Sequence, residues 1–264
     1  MGRDLFAKTV RDLRTSTIGW SLGLGLLAAL TAAVYPSVRD NEALQAYYDS
    51  LPEAARTLTG GGDFTTVAGF FQTEIFSYLP LVLAVFTVGK AAALTLGEEE
   101  EGTMDLVLAQ PVERWRLFLA RAAGLGASLV LVLAFVGAVL AAVGAAIGLT
   151  GREIAGLAAW CLLAALPATV YGSAALAAAG FSHRRRTAIL AGTFVAVGSF
   201  LLNGLAPLAD WLSGFQDVSP HHWYIVNDPV SASFSLWGLA RLVPGTLALV
   251  LVGVVGFQRK NIGV

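Results

Sequence analysis

Four consecutive carboxylates, Glu98, Glu99, Glu100 and Glu101, form the densest cluster of reactive side chains in the sequence. Adjacent like charges repel and are costly in lipid, so this run must face water or a basic partner. Gly102, Thr103 and Met104 follow, and Met104, Val107 and Leu108 recur at i, i+3, i+4 as a small apolar helical face. Pro111 ends that short helix, because it donates no backbone hydrogen bond and drives Gln110 out of the helical region. The chain restarts at Arg114, Trp115 and Arg116. An acidic patch beside a short amphipathic helix suits the docking of a cytoplasmic protein, and the same residues suit a solvated loop.

Other candidate chemistry is sparse. Lys90 lies about two helical turns before Glu98, where its stem can snorkel the ammonium to an interface. Glu74 stands at the opposite end of the same apolar stretch, as a capping or solvated carboxylate. His183 adjoins Arg184, Arg185 and Arg186 in one basic cluster. His221 and His222 are adjacent rather than at the i, i+4 spacing that places two ligands on one helical face, so no metal site is expected there and their role is left open. Ser173 follows Gly172 without a G-x-S-x-G setting. Gly89 and Lys90 do not complete a phosphate loop, since Ala84 holds the first glycine position and Ala91 follows the lysine. The single cysteine, Cys161, excludes an intrachain disulfide framework. No catalytic residue, metal ligand or bound cofactor is therefore expected of this chain.

The elements that must position these groups are apolar. Of 264 residues, 56% are hydrophobic and 13% charged, against roughly 25% charged in soluble domains. A mean hydropathy of +0.70 points the same way. A helix needs about 20 apolar residues to cross a hydrocarbon layer of roughly 30 Å. Six such stretches run from Ile18 to Tyr35, Ile75 to Leu96, Ala122 to Leu149, Ile154 to Phe181, Ala188 to Leu208 and Leu236 to Phe257. The fold class is thus an all-α polytopic membrane protein of six transmembrane helices, forming one domain over residues 1–264.

Thirteen of the 17 lysines and arginines fall on one set of alternating segments, and Arg39, Arg56, Arg152 and Arg241 on the other. Cytoplasmic segments are enriched in basic residues, so this pattern places both termini and Glu98–Arg116 in the cytoplasm. The net charge of -1 gives no argument for nucleic acid. The first apolar stretch exceeds the 7 to 15 residues of a signal peptide, which favours a retained span. Thr150, Gly151, Arg152 and Glu153 join spans three and four as a tight hairpin.

Three segments outside the spans carry their own pattern. Over residues 1–15, Phe6, Val10 and Leu13 share one face while Arg3, Lys8, Arg11 and Arg14 lie mostly on others, as in an interfacial amphipathic helix, or in a plain basic lead-in to the first span. On the outer side, Asn41 to Leu51 reads as a short helix with Leu44, Tyr47 and Tyr48 on one side, broken at Pro52. Leu205, Leu208, Trp211, Leu212 and Phe215 make a second apolar stripe ahead of Ser219 and Pro220. Gly19 with Gly23, and Gly144 with Gly148, have the small-xxx-small spacing that lets helices approach in lipid.

The run Glu99, Gly102, Thr103, Met104, Asp105, Leu106, Val107, Leu108, Ala109, Gln110, Pro111, Val112 and Arg114 closely resembles the inner-loop signature of ABC-2 type permeases, the membrane subunits of ABC exporters. Tyr47, Leu51, Pro52, Glu53 and Ala54, together with Ser219, Pro220, Asp228 and Pro229, also look like that family, although His221, His222 and Trp223 stand where more Phe and Tyr are expected. The resemblance implies that Glu98 to Arg116, through Glu98, Glu99, Glu100, Glu101, Gly102, Thr103, Met104, Asp105, Leu108, Pro111 and Arg114, couples to a separate ATPase, with the Phe6, Val10, Leu13 helix beside it. ATP and Mg would sit on that partner, and this chain would itself be no enzyme.

The expected assembly pairs this chain with a second permease chain, identical or related, and with ABC ATPase subunits, in lipid of a prokaryotic inner membrane. Its function would be the outward movement of an apolar or amphipathic cargo such as a drug, antibiotic or lipid-like molecule. The competing readings are a non-transporting anchor or sensor that recruits a cytoplasmic protein through the same acidic segment, and an ion-coupled carrier. A carrier would be expected to bury an ion-binding group or a broken helix at midplane.

Overall fold

The computed structural model describes residues 2–39, 41–52, 55, 66–102, 113–208, 210–231 and 239–260. Every multi-residue element among them is helical: α1 (Gly2–Val38), α2 (Glu42–Asp49), α3 (Val67–Phe71), α4 (Leu79–Glu100), α5 (Arg114–Ala146), α6 (Gly151–Leu163), α7 (Ala165–Phe181), α8 (Arg185–Leu205), α9 (Asp210–Ser213), α10 (Pro220–Ile225) and α11 (Leu242–Arg259). Six helical stretches are long and apolar enough to cross a membrane: 4–38, 67–100, 114–146, 151–181, 185–205 and 242–259. They correspond one to one with the six stretches expected from hydropathy. The last begins at Leu242 in the structure, after a turn at Arg241, rather than at Leu236; residues 232–238 lie outside the described residues.

At 37 residues, α1 is about 55 Å long, well beyond the hydrocarbon thickness. The amphipathic lead-in and the first span are one unbroken helix, since no proline or glycine cap separates Leu13 from Ile18. The second span is composite. α3 passes through a π-helical turn, Gln72–Phe76, where the Ser77 N–H reaches back to the Gln72 carbonyl at 2.8 Å, and continues as α4. The fourth span breaks at Ala164 between α6 and α7. Pro167 is the cause: it has no N–H to offer the Leu163 carbonyl, and its ring crowds that oxygen.

Helix α7 is the hub. It packs against α4 on one side, α8 on another and α11 on a third, while α1 lies along α5, and α5 also meets α6 and α11. The sequence of α7, rich in alanine with Gly172, Ser173 and Gly180, explains this, because small side chains let several backbones approach at once. At its closest contact, a Cβ on Gly180 would stand 2.4 Å from the Gly253 carbonyl oxygen of α11. Gly156 likewise seats against Val230, and Gly124 against Thr9 of α1.

The Gly19 and Gly23 pair does not pack in this way. Nothing lies within 4 Å of a Cβ placed at either position. Gly144 does pack, against Ile154 and Leu149, but Gly148 has φ of 82° and serves to turn the chain after α5. Thr150, Arg152 and Glu153, expected as hairpin linker, instead open α6. The Thr150 side chain accepts from the Glu153 N–H, and the Glu153 carboxylate accepts from the Thr150 N–H at 2.7 Å, a complete capping box.

Candidate functional site

The last turn of α4 carries its buried face onward from Ala91, Ala92, Thr95 and Leu96 to Glu98 and Glu99, each three or four residues further along. Both carboxylates therefore point back into the bundle, while Glu100, Glu101 and Gly102 are exposed. Glu98 pairs with Arg121 of α5, whose side chain is 7% exposed. Glu99 pairs with Lys260 Nζ at 2.5 Å and accepts from His183 Nδ1 in the α7–α8 connection. Lys260, just past α11, also donates to the Ser182 carbonyl at 2.6 Å, and its own carbonyl accepts from Arg114 Nη1 at 2.8 Å. Glu100 accepts from the Arg185 N–H at 3.3 Å, at the N-terminus of α8, where exposed backbone donors favour an anion.

This is an ionic joint linking α4, α5, α8 and α11 at one end of the bundle. Water or a basic partner is expected for the acidic run; Glu98 and Glu99 meet basic side chains of the chain itself, and Glu100 meets a backbone N–H. The sequence shows no local sign of it, because His183 is 84 residues from Glu99 and Lys260 is 161 away. Gly102, with φ of 69°, ends α4 in the left-handed conformation that a Cβ resists. Glu101 has no partner among the described residues. Thr103, Met104, Asp105, Leu108 and Pro111 lie outside the described residues. Arg114 is the first residue of α5.

The Phe6, Val10, Leu13 face is graded. Leu13 is buried, Val10 partly so, and Phe6 is exposed. Lys90 is partly buried within α4. Among the described residues, no group of three or more His, Cys, Asp or Glu side chains converges as metal ligands. The joint's paired charges tie the end of α4 to α5 and to Lys260 beyond α11.

At the opposite end, the two histidines have different jobs. Ser219 caps α10, accepting from the His222 N–H at 3.2 Å and donating to the Ser199 carbonyl at 2.8 Å. Ser199 Oγ accepts from the His221 N–H at 2.9 Å and meets the Tyr171 hydroxyl at 3.3 Å. His222 Nδ1 donates to Asn203 Oδ1 at 3.2 Å. The His221 ring lies edge-on to Phe200 at 5.2 Å. Burial, reinforced by the neighbouring His222, pushes its pKa down to about 4. The signal for this element was present in the sequence: Ser219 followed by Pro220 is a cap residue and a first-turn proline.

Glu74 sits on the π-helical turn at this same end and is exposed on the side of a cavity of about 630 Å³ between α1, α2 and the start of the second span. The sequence suggested a cap or a solvated carboxylate, and a π turn leaves no composition signal that would have placed it here.

No curated protein sequence matches the chain. A protein-family model described as the C-terminal domain of the multidrug efflux system permease Rv1217c matches residues 4–258. The match begins in the first turns of α1 and ends in the last turn of α11, taking in all six apolar helices and the ionic joint apart from Lys260. The chain therefore belongs to the Rv1217c C-terminal-domain family of multidrug efflux permeases, and it is a multi-pass membrane protein.

Proposed function

We propose that this chain is the transmembrane subunit of an ATP-driven exporter whose ATPase is a separate polypeptide docking on the segment that starts at Glu98. One observation carries the reading. Glu98, Glu99 and Glu100 lock α4 to α5, α11 and the start of α8, while Glu101 and Gly102, next in the chain, stand exposed. A push delivered just beyond Glu101 would act on four helices together, as rigid-body transport movements require. The basic-residue pattern supports placing this end in the cytoplasm of a prokaryotic inner membrane. The absence of a phosphate loop from the sequence supports an ATPase on another chain, which would hold ATP and Mg.

A second permease chain, identical or related, would complete the path, and the cargo would be apolar or amphipathic. The family's name supports a drug-like cargo. The test is a mild-detergent pull-down of the tagged chain with mass spectrometry, followed by transport in inside-out vesicles. A P-loop ATPase should be recovered in about equal amount, and Glu101→Lys should release it without disturbing membrane insertion. Transport should follow ATP rather than a proton or sodium gradient. Recovery of the chain with no ATPase, where other membrane complexes survive, would overturn the reading in favour of an anchor or carrier.

A further inference from the structure

We infer that the cavity beside Glu74 is a binding site for an amphipathic organic cation, at the end of the second span opposite Glu98. The cavity, at about 630 Å³, falls within the range of pockets that enclose drug-sized ligands. Leu30 and Val34 of α1, Tyr47 of α2 and Tyr78 at the start of α4 are among its walls, which are mostly apolar. Glu74 is the one charged residue among its described lining residues, and no described residue pairs with it.

The π turn creates this arrangement. Inserting one residue into the turn leaves Thr73, Ile75, Phe76 and Ser77 buried, while Glu74 and Tyr78, four apart, face the cavity side. Thr73 also lines the cavity, is 4% exposed, and its hydroxyl has no partner among the described residues. A carboxylate with no partner among the described residues, beside apolar walls, is a poor place for an anionic headgroup, which it repels. A neutral acyl chain would leave it uncompensated. A hydrophobic cation satisfies both features, its body filling the apolar wall and its charge facing Glu74, with Tyr47 and Tyr78 among the lining residues.

The inference rests on the exporter reading for one point alone, that the bound cation is cargo near its exit. Binding itself is independent of it. The experiment uses the purified chain in nanodiscs of zwitterionic lipid and two probes of nearly equal shape and opposite charge, tetraphenylphosphonium and tetraphenylborate, with empty nanodiscs subtracted. Tetraphenylphosphonium should bind saturably, Glu74→Gln should weaken it roughly tenfold, and Glu74→Asp should restore most of the affinity. Tetraphenylborate should not lose affinity in Glu74→Gln. Val34→Trp, at an exposed position of α1, should fill the cavity and abolish saturable binding while thermal unfolding stays unchanged.

Equal tetraphenylphosphonium affinity in wild type and Glu74→Gln would overturn the site, as would equal losses for both probes or the absence of saturable binding. ATP-driven transport with no Glu74 dependence of binding would leave the exporter reading standing and remove the site. Glu74-dependent binding with no ATP-driven transport would do the reverse.

Discussion

His221 is 2% exposed, and its neutral form is maintained because burial withholds the solvent that would stabilise a charge. The sign of the consequence follows. Between pH 6.5, its ordinary value, and about 4, the unfolded chain binds a proton that the folded chain refuses, so stability falls as pH is lowered through that window. The loss reaches about 3 kcal/mol at its lower end. His221→Phe, which keeps the edge contact with Phe200, should flatten the slope of thermal unfolding in detergent between pH 7 and pH 4.5. A variant as pH-sensitive as the wild type would refute the assignment. Glu99 makes a second prediction at this scale. Glu99→Gln strands the Lys260 ammonium, 2% exposed, with the Ser182 carbonyl as its remaining described acceptor, at a cost of about 3 kcal/mol. Adding Lys260→Met should recover part of that loss, because an apolar pair replaces a broken ionic one. The acidic run was legible in the sequence, but its partners were not, since side chains this distant in sequence meet only through the packing of whole helices.

Between elements, the decisive contacts are those of glycine with backbone. Gly180→Ala would drive a methyl group to 2.4 Å from the Gly253 carbonyl oxygen, and backbone cannot step aside as a flexible side chain can. The α7–α11 contact must open, and a loss of about 1 to 3 kcal/mol is expected in thermal or denaturant unfolding. Gly19→Ala is the matched control: no atom lies within 4 Å of the new methyl, so stability should hold or rise slightly. The spacing rule selected Gly19 with Gly23 and Gly144 with Gly148, of which Gly144 alone packs closely, whereas the structure also uses Gly180, Gly253 and Gly156, because spacing describes one helix and contact needs two. The same reasoning explains the break at Ala164. Pro167 was visible inside the fourth stretch, yet its effect falls one turn earlier, on the carbonyl it fails to satisfy. The π turn at Gln72–Phe76 had no such marker, and with it the position of Glu74 stayed hidden. Span number, by contrast, was legible throughout, since hydrophobic length and charge alternation are summed over whole segments and tolerate errors at any one residue.

For the whole molecule, the solvent is the central fact. Ile18, Leu22 and Leu26 line the outward face of α1, each more than half exposed, and Phe194 of α8 is 79% exposed. A water-soluble chain with that surface would aggregate, whereas a hydrocarbon medium solvates it at no cost. Burial therefore sorts residues differently here: polar groups are gathered inward at the two ends, in the Glu98–Arg121 and Glu99–Lys260 joint and in the Ser199–Ser219–His221 cluster, and leucines face out. The basic-residue pattern predicts that the Glu98 end is the cytoplasmic one. Glu101→Cys and Arg152→Cys separate the two possible orientations, because the native Cys161 is buried and contributes little labelling of its own. With a membrane-impermeant maleimide, intact cells should label the cysteine at 152 and leave that at 101 unlabelled until the membrane is opened. Labelling at 101 in intact cells would invert the molecule, place the ionic joint outside, and remove the cytoplasmic docking segment on which an ATP-driven mechanism depends.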